Sequence, residues 1–283
     1  MTDSPPATGT RAPTLAVIGA GAMASAIIDG AFNAGVLRPA DLVVVEPNDD
    51  RRAALVARGA MPAGSAPEAL ASLAPGGAAM LATKPQMLPD IAASLAGAPP
   101  FGGVVISILA GARSERVRQA FGGAARVVRV MPNTPARVGL GMSAIAVGAG
   151  AQPGDDDFAA RLFAAVGEVV RLDESLMDAF TALAGSGPAY IFYLAEAMAR
   201  AGSEMGLDPA MADTVARAVI RGSAELLSRT PEQPAAALRA AVTSKGGTTA
   251  AAIDSMDASG VQGAIVRAIV AARDRGAELS RLV

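Results

Sequence analysis

The chain has 283 residues with 24 basic and 26 acidic side chains, a formal net charge of −2 and 52% hydrophobic content. That length accommodates two domains with real cores, and the near-neutral balance lacks the basic face that nucleic acid or an anionic membrane requires. No apolar run reaches the ~18 residues that cross a bilayer, so no membrane partner is expected. With no cysteine and no histidine, Cys and His nucleophiles, triads and relays are excluded, most zinc sites go with them, and no metal centre is expected. An enzyme of this composition needs a cofactor to carry the hard step while the protein positions it. The 24 basic residues include only two lysines, Lys84 and Lys245. Either can mark a site, or both can be chance survivors in an Arg-rich composition.

Residues 1–13 contain Asp3, three prolines and no apolar core. They read as a disordered leader and not as a signal peptide, with a cytoplasmic protein as the expectation. Apolar β-type runs then follow at 15–18, 42–45, 78–82, 104–108 and 127–130, with helical patterns at 22–34, 50–58, 89–96 and 114–121 between most of them. Apolar runs without alternation suit strands covered on both faces, and intervening helices imply right-handed parallel crossovers. Two further runs, 143–147 and 168–170, flank a helix near 155–166. Strand signals stop near Leu172. Beyond it, Asp208-Pro209 is a helix N-cap followed by proline at the first helical position. Val215, Val219 and Leu226 mark one face of a long helix, and Val261, Ile265 and Ile269 one face of a last helix from about 258 to 279. Small residues on these helices favour close packing against a partner subunit or within the chain.

The expected fold class is therefore α/β: a Rossmann-type doubly wound sheet over 14–172, then an all-α dimerisation domain over 173–283. Ligands of such sheets bind at the carboxyl ends of the strands. The first strand runs into Gly19-Ala-Gly-Ala-Met-Ala24, a Gly-x-Gly-x-x-Ala turn into a helix. Gly19 permits the tight turn and Gly21 the approach of a pyrophosphate, while Ala24 permits close packing of helix and strand. Phosphate then rests on the free N–H groups at the helix start. After the second strand, Glu46 can accept both hydrogens of an adenosine ribose diol, which favours NADH. Arg51 or Arg52 can instead hold a 2′-phosphate, which favours NADPH, or simply be solvated in the first turn of a helix.

Two more strand ends carry Ala82-Thr-Lys84-Pro85-Gln86 and Ala110-Gly111. The next strand ends in Met131-Pro-Asn133-Thr-Pro135, where two prolines brace the polar pair; a rigid turn explains the same residues. In the helical half, Ala184-Gly-Ser-Gly-Pro-Ala-Tyr190 interrupts a helix and can be a packing kink. Val242-Thr-Ser-Lys-Gly-Gly-Thr-Thr249 stands before another helix, and glycines and hydroxyls there make an anion site suited to a small carboxylate. No Glu or Gln stands three residues after Thr248 or Thr249, so a capping box is excluded, leaving a plain Thr N-cap as the alternative.

Taken together, these motifs resemble the pyrroline-5-carboxylate reductase family, from about Thr14 to the C-terminus. The run Thr243–Thr249 matches the family hallmark, with Pro234 and Leu238 upstream and Asp254 downstream. Lys-Pro-Gln at 84–86, Met-Pro-Asn-Thr-Pro at 131–135 and Gly-Ser-Gly-Pro-Ala-Tyr at 185–190 support it. The resemblance implies reduction of 1-pyrroline-5-carboxylate to L-proline, the last step of proline biosynthesis, with NADPH or NADH as cofactor. It also implies a homodimer assembling into a decamer. By position, Gly19, Gly21, Ala22 and Met23 hold the pyrophosphate, and Ala82, Lys84, Pro85, Ala110 and Asn133 line the dinucleotide and nicotinamide. Ser244, Gly246, Gly247 and Thr248 bind the substrate carboxylate, and Thr249, the catalytic residue, bonds the ring nitrogen, with the loop reaching the nicotinamide across the dimer.

Two residues depart from the family pattern. Lys245 stands where many relatives have proline, adding positive charge near the carboxylate. Glu46 stands where NADPH-preferring relatives often have Ser or Asn, and its carboxylate repels a 2′-phosphate. Mechanistically, a cyclic imine is basic enough to arrive protonated, so hydride can add without a strong protein acid. A β-hydroxyacid dehydrogenase is the enzymatic alternative, but its chemistry wants a lysine on a helix of the second half, and Lys245 lies in a Gly-rich loop. A non-catalytic dinucleotide-sensing module has no need of the second anion site at 243–249.

Overall fold

The computed structural model describes residues 12–282. The expected leader therefore lies outside the described residues, apart from Ala12 and Pro13, whose carbonyl accepts a hydrogen bond from the Ala74 N–H at 2.8 Å. By its internal contacts the chain forms two compact units, one containing the residues up to Gly185 together with those from Arg273 on, the other Ser186–Ala272.

The first unit alternates strand and helix: β1 (Leu15–Ile18), α1 (Ala22–Asn33), β2 (Leu42–Val45), α2 (Asp49–Val56), β3 (Met61–Pro62), α3 (Ala66–Ala71), β4 (Ala78–Leu81), α4 (Leu88–Leu95), β5 (Val104–Ser107), α5 (Ser114–Ala120) and β6 (Arg126–Met131). Then come β7 (Gly141–Val147), α6 (Asp157–Ala164), β8 (Gly167–Arg171) and the short α7 (Met177–Phe180). The eight strands form one sheet in the order β3-β2-β1-β4-β5-β6-β7-β8. The first six are parallel in the Rossmann order, which places the topological switch between β1 and β4. β7 runs antiparallel to β6 because no crossover helix separates them, and β8 pairs parallel with β7 across α6.

Both faces of the sheet are covered, as its unbroken apolar strands require. Leu15, Val17, Met80 and Ile106 pack under α1 and α6, through Ile27, Ile28, Leu162 and Phe163. Ala16, Leu81 and Val105 pack on the other face under α3, α4 and α5, through Ala69, Ile91 and Val117. Two elements carry no clear sequence signal. β3 is two residues on the sheet edge, and α3 is a six-residue helix capped by the Ser65 hydroxyl, which accepts from the Glu68 N–H.

A single π-helical turn, Thr181–Gly185, follows α7, so the interruption expected at 184–190 falls earlier, at 181–186, as a change of helical pitch, and residues 187–190 are regular helix. The second unit contains α8 (Gly187–Glu204), α9 (Pro209–Arg229), α10 (Ala235–Ala241), α11 (Thr248–Ala258) and the start of α12 (Val261–Leu282), whose last residues belong to the first unit. Asp208 caps α9 as its sequence indicates, accepting from the N–H groups of Ala210 and Met211. The helix expected behind the 243–249 run is α11, which ends at Ala258, and the expected last helix is α12, which begins beyond the left-handed Gly260. Gly202 on α8 lies so near α9 that a Cβ there would approach the Ala212 methyl to 2.9 Å. Small residues thus bring these two helices together, while Ile191, Phe192, Val215, Val219, Leu226, Ile265 and Val266 remain exposed. No helix among the described residues is long and apolar enough to cross a membrane.

Candidate functional site

The carboxyl ends of the parallel strands bring the expected nucleotide residues to one edge of the sheet. Gly19–Met23 follow β1, Glu46 follows β2, Ala82–Pro85 follow β4, Ala110 follows β5 and Asn133 follows β6. The strand ladder continues into these loops, with Gly19 N–H donating to Val45 O at 2.8 Å and Ala82 N–H to Ile18 O at 2.9 Å. Gly19 has φ +91°, and a Cβ there would lie 2.9 Å from Thr83 Cγ2 and 3.0 Å from Ala82 O, so turn and packing both require glycine. A Cβ at Gly21 would meet nothing within 4 Å. The backbone there is open to a ligand.

Gly21 is the N-cap of α1, in extended conformation, with no side-chain cap and no acidic residue in the first turn. The free N–H groups and positive dipole end fit a pyrophosphate. Met23 is partly buried, while Ala22, Lys84 and Ala110 are exposed. Among the described residues no group of three or more carboxylates is placed to hold a metal ion.

Glu46 departs from its sequence reading. Its side chain is buried, Oε2 accepting from the Ala20 N–H at 2.6 Å and Oε1 from the Asn48 N–H at 2.9 Å. Both oxygens are thus turned to backbone. Arg52 donates to the Glu46 carbonyl at 2.8 Å and pairs with Asp49, whereas Arg51 is exposed in the first turn of α2. Asn133 is buried too. Its Oδ1 accepts from the Met142 N–H at 2.9 Å and its Nδ2 donates to Ala184 O at 3.1 Å. The amide therefore ties the end of β6 to the start of β7 and to the π turn.

A buried polar group on the same unit escaped the sequence reading. Arg129, a charge inside an apolar strand, lies 3.2 Å from Glu174, which also accepts from the Ser114 N–H at 2.8 Å and from the Ser114 hydroxyl. Burial pushes the Glu174 carboxyl up, but the Ser114 donors and the Arg129 guanidinium outweigh it and hold the group below the usual carboxylate range. Arg129 was a visible signal. Glu174, 45 residues away, was not.

In the second unit, Gly246 adopts φ +72° and Gly247 is the N-cap of α11. No side chain caps this helix, so the Thr N-cap alternative is not what forms; Thr248 and Thr249 are its first two residues. Ser244 reaches under the loop, its carbonyl accepting from the Gly247 N–H at 3.0 Å. Ser244, Gly246 and Thr248 are exposed, Gly247 and Thr249 half-buried. The corner is an uncapped helix start with two hydroxyls beside it. That is the chemistry of a carboxylate site.

Residues 14–111 match a family model described as NADP oxidoreductase, coenzyme F420-dependent, and residues 174–279 one described as pyrroline-5-carboxylate reductase dimerisation. A pyrroline-5-carboxylate reductase from Synechocystis is 39% identical over 274 residues, covering 94% of this chain and 98% of the relative. Among solved structures, a pyrroline-5-carboxylate reductase from Coxiella burnetii superposes with a TM-score of 0.81 at 28% identity, covering 95% of this chain and 99% of that one. The Plasmodium falciparum enzyme with NADP bound superposes with a TM-score of 0.80 at 25% identity, covering 96% and 100%. With near-complete coverage at this identity, on a Rossmann sheet followed by helices that expose their apolar faces, the chain belongs to the pyrroline-5-carboxylate reductase family.

Proposed function

We propose that this protein reduces the C=N bond of 1-pyrroline-5-carboxylate to give L-proline. The observation that carries the reading is the start of α11, an uncapped helix N-terminus behind Gly246-Gly247 with Thr248 and Thr249 at its first two positions, in a chain without histidine or cysteine. Such a corner grips a small carboxylate and offers a hydroxyl, and little more.

Gly19, Gly21, Ala22 and Met23 hold the dinucleotide at its pyrophosphate, and Ala82, Lys84, Pro85, Ala110 and Asn133 flank it toward the nicotinamide. When bound, NADPH or NADH supplies the hydride. Ser244, Gly246, Gly247 and Thr248 take the substrate carboxylate, and the Thr249 hydroxyl bonds the ring nitrogen. The substrate brings its own proton on the imine nitrogen, so the side chains provide proximity and orientation and no strong acid. In this reading residues 14–172 serve the nucleotide, residues 173–283 serve the substrate and the partner subunit, and the corner of one protomer meets the nicotinamide of its partner.

The exposed apolar residues of α8, α9 and α12 are the faces a homodimer covers. Further assembly to a decamer and a cytoplasmic location complete the proposal. Initial rates of pyrroline-5-carboxylate reduction, measured with NADPH and NADH in parallel, test the activity. Alcohol oxidation without imine reduction would instead point to a β-hydroxyacid dehydrogenase.

A further inference from the structure

We infer that Glu46 is a positioning residue that sets the shape of the phosphate-binding turn, and that it does not read the adenosine ribose. The inference rests on the dinucleotide reading of Gly19–Met23. An acid at the end of the second strand of such a sheet ordinarily faces the ribose diol. Here Glu46 is 6% exposed, with Oε2 2.6 Å from the Ala20 N–H and Oε1 2.9 Å from the Asn48 N–H.

Ala20 is itself fully buried and lies between Gly19 and Gly21, the two residues that make the turn. Its N–H has no strand partner, because β1 ends at Ile18 and the last ladder bond in this direction is Gly19 N–H to Val45 O. Glu46 satisfies that donor from 26 residues away. The second bond, to Asn48, holds the side chain in this rotamer, and Arg52 fixes the Glu46 carbonyl. The carboxylate stands beside the start of α1, whose dipole favours a negative charge and whose own first turn carries none.

Selection between the two nucleotides then passes to the first turn of α2. Arg51 is exposed there, and its N–H is fixed by the Asn48 side chain at 3.0 Å. Arg52 is already engaged.

Two variants of the full-length protein test this. In Glu46→Gln one side-chain oxygen becomes an amino group facing a backbone N–H. In Glu46→Asp the charge and the capacity to grip a diol remain, but the side chain is one methylene shorter and no longer reaches Ala20. Fluorescence titration with NADPH and NADH should show both dissociation constants rising together, by about tenfold, because the Ala20 or the Asn48 N–H loses its partner in either case. The ratio of the two constants should stay within about threefold of that of the unmutated protein. Arg51→Ala should move that ratio instead, weakening NADPH by about tenfold and leaving NADH unchanged.

A Glu46→Gln protein that loses NADH binding while gaining NADPH binding, or a Glu46→Asp protein with undiminished NADH binding, would overturn the inference. Failure of the unmutated protein to bind either nucleotide would instead refute the dinucleotide reading itself. If Glu46→Gln does not fold, judged by circular dichroism, the Glu46→Asp titration decides alone.

Discussion

At the scale of single residues, the proposed chemistry divides between backbone shape and one hydroxyl. Gly19 combines a left-handed backbone with contact to Thr83 and Ala82, so Gly19→Ala should weaken binding of both nucleotides by at least about tenfold, the cost of a strained residue in a packed turn. Equilibrium titration checks it. Thr249 is half-buried at the second position of α11. Removing its hydroxyl in Thr249→Val should lower turnover by about 10- to 100-fold, as expected for a hydrogen bond to a reacting charged group, while nucleotide affinity stays unchanged. Steady-state rates beside a nucleotide titration separate the two effects, and unchanged turnover would remove Thr249 from the mechanism.

At the scale of elements, α5 depends on a residue far along the chain. Its N-cap, Arg113, offers no side-chain cap, and the Ser114 N–H is satisfied by Glu174. The Ser114 hydroxyl donates to the same carboxylate and accepts from the Ala149 N–H at 3.0 Å. Glu174→Gln should therefore cost about 1–2 kcal/mol of stability at neutral pH, the usual effect of losing a helix cap. Because the Glu174 carboxyl is held below its ordinary range in the folded protein, the unfolded chain binds the proton more readily. Its contribution is complete above about pH 4.3, the unfolded value, and is lost as the pH falls through the lower folded value. The gap in urea midpoint between the unmutated protein and Glu174→Gln should accordingly be widest near neutrality and close in acid. A gap independent of pH would show that the charge is immaterial.

The whole molecule raises a different question, because the helices of the second unit bury little of their apolar surface within the chain. In that unit Ala212 and Ala216 are buried, whereas Val215, Val219 and Leu226 on the same helix are 46–52% exposed. A stripe of this kind is stable in water when a partner covers it. Val219→Glu places a charge in that stripe and should shift the protein to a smaller species in light scattering coupled to gel filtration. Activity should fall in parallel, since the substrate corner is proposed to work across the dimer. A monomer with full activity would disprove that arrangement.

Most of the architecture was written locally. Unbroken apolar runs located β1, β2, β4, β5 and β6 because a strand buried on both faces needs nothing else. The glycines at 19 and 21 and the Gly246-Gly247-Thr-Thr run located two uncapped helix starts, because a turn that exposes backbone requires those residue types at fixed spacing. The apolar stripe at Val215, Val219 and Leu226 announced a face in need of cover. Only the tertiary structure decided where the polar side chains turn. Glu46 reaches Ala20, Asn133 reaches Ala184, and Glu174 reaches Ser114 across 26, 51 and 60 residues. The antiparallel setting of β7 and the two-residue β3 belong with them, since each depends on the neighbouring strand already in place. Periodicity reports which face of an element is apolar, but a hydrogen bond between distant segments has no period. It is chosen by whichever unsatisfied donor the finished fold leaves within reach.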